Sequence, residues 1–135
     1  MTTTETEPQL KARIDRLQAG GVVDMHFDLL MDLYEKRHRR RVLATDHLPH
    51  LRAGGMGVVG AAIYLEDKYL PEMALRVALD QVARLYAEVA ETPAFAICKH
   101  GADIARARAA GQIAVVITME GVEPLGTDLD LLRVF

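Results

Sequence analysis

Apolar residues occur at two different spacings along the chain, and together these spacings predict alternating strands and helices. Short apolar runs at residues 21–28, 55–65 and 112–120 are typical of strands buried in a parallel sheet. The third run is the clearest, because five of its residues are β-branched. A shorter run at residues 94–99 is consistent with one more short strand.

A first helix is predicted ahead of the first strand. Residues 9–19 place Leu10, Ile14 and Leu17 on one apolar stripe, as in a helix that packs on one side. The polar and acidic residues 1–7 precede this stripe, and we expect them to form a frayed tail in which Thr6 or Glu7 can cap the helix.

A long helix is predicted over residues 72–91, opened by Pro71. A shorter helix over residues 101–111 follows it. The apolar residues that recur at helical spacing in the long helix, and that we expect to face inward, are Leu75, Leu79, Val82, Tyr86 and Val89.

Cap residues mark two further helices. Thr45 or Asp46 can start a short helix that ends at Gly54. Near the end of the chain, Thr127 and Asp130 form a T-x-x-D pattern that is typical of a helix start.

Strands that alternate with helices in this way predict a parallel α/β sheet in one domain over residues 1–135. A buried parallel strand this late in the chain needs neighbours on both sides, which indicates part of a larger domain.

Composition and charge narrow the function classes. The formal net charge of −3 gives no electrostatic argument for a nucleic-acid partner, and the basic run at residues 36–41 is interpreted as a solvated helix end, with an anion contact as the alternative. Cys98 is the single cysteine, which excludes an internal disulfide, and its apolar context favours a buried residue over a catalytic thiol. The first residues lack the features of a signal peptide, and no apolar run is long enough to cross a membrane, so we expect a cytoplasmic protein.

The first predicted strand carries the most informative polar residues. Asp24, His26 and Asp28 alternate along it, and alternation places side chains on one face of a strand. An imidazole and a carboxylate at a strand end form half of a divalent-metal site, and a metal would make the two aspartates tolerable near a core. The alternative is that His26 and Asp28 bond only to each other and to the following helix.

Glu120 strengthens the metal hypothesis. It lies at the carboxyl end of the clearest strand, directly before Gly121, and in parallel α/β folds sites assemble at this end of the strands. A carboxylate can bridge two metals. A role for Glu120 as an ordinary loop or cap residue remains the alternative.

The other chemical candidates are weaker. His47 and His50 are interpreted as exposed helix residues. The absence of serine from the whole chain excludes a serine nucleophile.

These segments, taken in order from about residue 20, resemble the opening third of the membrane (renal) dipeptidase family, the M19 zinc peptidases. The matching blocks are "VVDMHFDLL", "TDHLPHLRAGGMGVVGAAIYL" and "ADIARARAAGQIAVVITMEGVEPLGTDLDLLRVF". The resemblance implies a (β/α)₈ TIM barrel, of which this chain would supply about the first three β/α units. It also implies two zinc ions and hydrolysis of dipeptides by a metal-bridging hydroxide.

The resemblance assigns metal-binding roles to three residues. His26 and Asp28 would hold the first zinc ion, and Glu120 would bridge both ions. Asp24 is a candidate to orient His26. Met25 and Phe27 replace the smaller Gly and Asn usual in the family, but we expect both to point away from the ligands.

The resemblance also indicates what this chain lacks. Val122 stands where the family has a second glycine after Glu-Gly, which bears on the loop conformation. The histidines of the second zinc site, a catalytic aspartate and a substrate-binding arginine belong to later strands in the family. We therefore expect little or no peptidase activity from the isolated chain, which would need the remaining barrel segment or a homo-oligomer partner. The alternatives are a related metal-dependent amidohydrolase acting on a non-peptide amide, and a non-catalytic remnant that pairs with another chain.

Overall fold

The computed structural model describes residues 6–135, which form a four-stranded parallel sheet with five α-helices around it. The elements are α1 (Glu7–Ala19), β1 (Val22–Phe27), α2 (Leu29–Glu35), α3 (Leu48–Ala53), β2 (Met56–Ile63), α4 (Ala74–Glu91), β3 (Phe95–Ile97), α5 (Gly101–Ala109) and β4 (Ile113–Met119). A π-helical segment, Leu43–His47, runs directly into α3, and the prediction that this helix ends at Gly54 is confirmed.

The strands lie in the order β1-β2-β4-β3, and every pair is parallel. β2 and β4 therefore occupy the centre of the sheet, with β1 on one side. β3 pairs only with the first three residues of β4 and forms the other edge. The predicted parallel α/β sheet is confirmed, and β4 lies between two strands that precede it in the chain.

The main core lies between one face of the sheet and two helices. Leu29 and Leu33 of α2 and Leu85 of α4 pack there against Val59 and Val115, and all five side chains are fully buried. This layer holds α2 and α4 against β2 and β4 through the hydrophobic effect. It therefore fixes the carboxyl ends of the central strands.

A smaller core lies on the opposite face of β4. Ala114 packs there with Ala107 of α5 and with Cys98, and all three are buried. The sheet is thus covered by α2 and α4 on one face and by α5 on the other. Within residues 6–135 no helix is both long enough and apolar enough to cross a membrane.

The predicted inward stripe of α4 is partly wrong. Leu79 and Tyr86 are 40% and 44% exposed, whereas Val77, Ala78 and Leu85 are buried. The inward face also carries two polar residues, Gln81 and Glu88, which are buried because Gln81 Nε2 donates to the carbonyl of Tyr64 and Glu88 Oε2 accepts from the N–H of Leu43. Helix spacing alone gives several overlapping stripes and does not select between them.

Two terminal predictions also change. Leu10, Ile14 and Leu17 do lie on α1, but none of them is buried by the described residues. Residues 1–5 of the expected tail lie outside the described residues, and α1 begins at Glu7, where the backbone N–H of Thr6 donates to Gln9 Oε1 at 3.0 Å. 

Near the other terminus, the chain forms a 3₁₀ helix, Leu129–Arg133, rather than the predicted α-helix. Its cap is Asp128, whose Oδ1 accepts from the N–H of Asp130 at 3.0 Å, so the proposed Thr127 cap is wrong. Asp128 lies two residues before the N–H that donates, and its carboxylate competes directly with the hydroxyl of Thr127 for the capping position.

Candidate metal centre

Three of the predicted site residues meet at the carboxyl edge of the sheet. His26 lies near the end of β1, Asp28 directly follows it, and Glu120 directly follows β4. One ligand atom from each side chain lies within 4.8 Å of the other two. His26 Nε2 is 2.9 Å from Glu120 Oε2 and 3.6 Å from Asp28 Oδ1. The side chains are about half exposed, so the group is open to solvent.

The order of the strands explains this meeting. β1, β2 and β4 are adjacent and parallel, so their carboxyl ends share one edge although 94 residues separate His26 from Glu120. The N–H of Glu120 continues the ladder by donating to the carbonyl of Ile63 at 2.9 Å. The backbone of Glu120 is therefore held by the central strand.

The backbone conformation after Glu120 explains why a glycine follows it. Gly121 has φ +76°, a left-handed conformation that glycine adopts without steric cost. The chain thus turns sharply away from the sheet just after Glu120. Val122 has φ −119° and ψ 14°, which a valine adopts without strain, so its replacement of the family's second glycine needs no special backbone.

The first strand is not a regular alternation. Asp24 pairs with Val59 and Phe27 with Ala61, so three steps along β1 match two steps along β2. Met25 and His26 therefore form a β-bulge opposite Gly60. The expectation that alternation alone puts Asp24 on the face of His26 is wrong. Asp24 instead contacts the backbone of His26, whose N–H donates to Asp24 Oδ1 at 2.9 Å.

The two bulky replacements in β1 differ from each other. Phe27 packs against the main core and meets the ring of His47 edge-on, with 5.9 Å between ring centroids. Phe27 therefore points away from the ligands, as expected. Met25 is 78% exposed and packs against little of the described chain.

A second polar cluster lies beneath Phe27, and we call it the salt-bridge network: Asp32, Lys36, Arg39, Asp46 and His47. The interpretation of His47 as an exposed residue is wrong, because its side chain is 13% exposed and its Nε2 lies 2.8 Å from Asp32 Oδ2. Burial raises the pKa of Asp32, but hydrogen bonds from Lys36 and His47 outweigh it and place the pKa below its usual value.

The basic run at residues 36–41 contributes to this network. Lys36 lies 2.8 Å from Asp32, and Arg39 makes a two-pronged contact with Asp46 at 2.8 and 2.9 Å. The Arg39 bond, with a further one from Thr45, holds the pKa of Asp46 well below its usual range. Lys36 and Arg39 thus have carboxylate partners within the chain, so this part of the run is not simply solvated as the sequence interpretation expects.

The remaining candidate residues do not join the group formed by His26, Asp28 and Glu120. His50 is exposed on α3, and the N–H of His100 donates to Asp103 at the start of α5. Cys98 is 3% exposed, and burial raises the pKa of its thiol, which disfavours the nucleophilic thiolate. The prediction of a buried Cys98 is confirmed.

The group formed by His26, Asp28 and Glu120 fits one metal ion. Two ligands bound to the same tetrahedral zinc at about 2.0–2.2 Å lie roughly 3.3 Å apart. The separations of 2.9 and 3.6 Å on either side of His26 Nε2 bracket this value. One imidazole and two carboxylates form a donor set typical of a catalytic divalent metal.

In parallel α/β folds functional side chains gather at the carboxyl ends of the strands, and an imidazole and two carboxylates lie there in this chain. A sequence profile of the membrane dipeptidase family, peptidase family M19, matches residues 11–135. The chain belongs to this family. Comparison with curated protein sequences gives no match.

Two solved structures show the same fold. One is dipeptidase AC, a metallopeptidase of family M19, with 29% sequence identity and a TM-score of 0.74. The other is a metallopeptidase from Rhodobacter sphaeroides bound to a phosphinate mimic of the dipeptide L-Ala-D-Ala, with 26% identity and a TM-score of 0.75. Each match covers 85% of this chain but 39% and 42% of the other chains. The chain thus spans about two fifths of their length, and its sheet corresponds to part of a TIM barrel.

Proposed function

We propose that this chain supplies the first metal site of a zinc-dependent dipeptidase, with His26, Asp28 and Glu120 as the ligands. The observation that carries the proposal is the convergence of their three ligand atoms within 4.8 Å from strands that are far apart in sequence. Membership of a metallopeptidase family supports the same assignment.

Each residue would have a distinct part in binding. His26 offers a neutral nitrogen donor, and Asp28 and Glu120 supply two negative charges that balance a divalent cation. Glu120 uses Oε2 toward His26, and its second carboxylate oxygen has no hydrogen-bond partner among residues 6–135. That oxygen is available to a second metal. A bound zinc supplies a Lewis acid and lowers the pKa of a water ligand, which is the chemistry that peptide hydrolysis needs.

We further propose that hydrolysis requires a larger assembly than this chain. Residues 6–135 contain a single group able to hold a metal, and the chain covers about two fifths of its structural relatives. The remaining barrel segment, or another chain in its place, would provide the second metal site and the contacts to the dipeptide substrate.

Zinc titration of the 135-residue chain by calorimetry tests the assignment. We expect about one zinc per chain, and we expect His26→Ala or Glu120→Gln to weaken binding by about 100-fold or more, since the loss of even an outer partner of a ligand costs about 10- to 100-fold. His50→Ala and Glu91→Gln are matched controls outside the group and should bind as the unaltered chain does. Equal affinity in all variants would refute the site.

An activity assay tests the second part. With zinc present, we expect no detectable hydrolysis of L-Ala-D-Ala by the isolated chain. Robust turnover that is abolished by Glu120→Gln would show that the chain is a complete enzyme and overturn the requirement for a larger assembly.

A further inference from the structure

The β-bulge at Met25 and His26 has two contacts that a regular strand would not have. The first is the bond from the backbone N–H of His26 to Asp24 Oδ1, at 2.9 Å. The second is the close approach of Met25 to Gly60 on the neighbouring strand. A Cβ atom placed on Gly60 would lie 2.5 Å from the carbonyl oxygen of Met25 and 2.8 Å from its carbonyl carbon. Only a glycine fits at position 60 without moving this backbone.

The bulge follows an opposite register shift between Val22 and Val23, and it determines which side of the sheet His26 faces relative to Asp24. Val59 and Ala61 belong to the core beneath α2 and α4, and Phe27, the partner of Ala61, also packs there. If pairing continued regularly from Asp24 and Val59, His26 would be the partner of Ala61 and would point into that core. The extra residue moves Phe27 into the core position instead. His26 then lies on the opposite face, within 2.9 Å of Glu120.

We propose that Asp24 and Gly60 are positioning residues for the metal site, which act by holding the bulge that directs His26 toward Glu120. Asp24 does so by accepting a hydrogen bond from the backbone N–H of His26, which lies within the bulge. Gly60 does so by leaving room for the Met25 backbone. This inference rests on the proposed metal site and adds two residues that touch neither metal nor substrate.

The electrostatic position of Asp24 agrees with this role. Its carboxylate accepts a backbone N–H rather than a ring nitrogen, so it acts on where the His26 main chain lies. Bulges near functional sites commonly re-aim one side chain in this manner. Outer contacts to metal ligands typically change metal affinity by about 10- to 100-fold when removed.

Cobalt binding to the full 135-residue chain tests the proposal, because Co²⁺ reports ligand geometry through its visible absorption. We expect Asp24→Ala and Gly60→Ala each to weaken Co²⁺ binding by about 10-fold or more and to change the absorption spectrum. Asp24→Asn keeps an oxygen acceptor and should restore most of the affinity. Gly20→Ala is the matched control, because a Cβ at Gly20 meets nothing within 4 Å.

A metal-free measurement separates this inference from the proposed function. In ¹⁵N-resolved NMR, the His26 amide should exchange with solvent up to about 10-fold faster in Asp24→Ala than in Asp24→Asn, because alanine leaves this N–H without its side-chain acceptor. Failure of the unaltered chain to bind Co²⁺ or Zn²⁺ would refute the proposed metal site but leave this measurement decisive for the bulge.

Circular dichroism identifies variants that have lost the fold. If Gly60→Ala unfolds, the comparison of Asp24→Ala with Asp24→Asn decides the matter. Unchanged metal affinity, absorption spectrum and amide exchange in folded Asp24→Ala would overturn the proposal. A loss of stability in Asp24→Ala and Gly60→Ala with unaltered metal affinity would also overturn it.

Discussion

The group formed by His26, Asp28 and Glu120 and the salt-bridge network both pair a histidine with carboxylates, but they differ in charge balance. Each has a histidine whose Nε2 lies within 2.9 Å of a carboxylate: His26 with Glu120, and His47 with Asp32. In the network, Lys36 and Arg39 also contact the carboxylates. Among residues 6–135, the ion pairs of Asp28 and Glu120 are both with His26 alone.

The two clusters also differ in exposure. His47 is 13% exposed, whereas His26 is 55% exposed and lies at an open edge of the sheet. In the network, the lysine and arginine side chains balance the carboxylates within the chain through charge-assisted hydrogen bonds. A cluster with excess negative charge and open access is suited to an external cation. The presence of lysine and arginine partners therefore distinguishes the salt-bridge network from the group formed by His26, Asp28 and Glu120.

The largest expected effect is a zinc-dependent gain in the free energy of unfolding, which should depend on one cluster and not on the other. At a free zinc concentration 100 times Kd, binding should raise the free energy of unfolding by about 2.7 kcal/mol. Glu120→Gln should lose most of this gain, and Asp32→Asn should keep it, because the network does not contact the metal. Chemical denaturation with and without zinc measures both. The same zinc-dependent gain in Glu120→Gln would remove the distinction.

A smaller effect is expected in the absence of zinc. Asp32→Ala should lower the free energy of unfolding by about 1–2 kcal/mol, because His47 and Lys36 lose a part-buried acceptor. Asp28→Ala, at the exposed edge, should change it by less than about 0.5 kcal/mol. Urea unfolding of the metal-free variants checks the comparison. A larger loss in Asp28→Ala than in Asp32→Ala would contradict it.

The smallest expected effect is a dependence on pH. The pKa values of Asp32 and Asp46 are lowered in the folded chain, so both carboxylates stabilise it above their unfolded pKa of about 3.9. This contribution is lost as the pH falls below about 4 and the carboxylates take up protons. Urea unfolding between pH 6 and pH 3 should show a shallower decline in Asp46→Asn than in the unaltered chain. Parallel curves would show that Asp46 contributes nothing.

Sequence patterns were sufficient to predict the strands, and they indicated three candidate site residues. β2 and β4 were found because a strand buried on both faces has a continuous apolar run, which little else resembles. His26, Asp28 and Glu120 were selected because charged residues at the ends of such runs are costly without a purpose. The structure brings these three together.

Features that depend on pairing between distant segments could not be found this way. The bulge in β1 arises from its register against Gly60, and the sequence of β1 alone reads as plain alternation. The buried role of His47 depends on Asp32 in another helix, 15 residues away. The inward face of α4 includes Gln81 and Glu88, whose hydrogen-bond partners, Tyr64 and Leu43, lie in other segments. Each is set by tertiary contacts that override local periodicity.

The position of β4 between β2 and β3 bears on how the chain is made. A chain emerging from a ribosome at roughly 5–20 residues per second exposes β1 several seconds before β4. During that interval His26 and Asp28 have no Glu120 beside them, and β3 has no strand to pair with. Parallel pairing across such separations is slow, since loop closure must come first. Capture of a metal by all three ligands would therefore mark the moment at which the last central strand has docked.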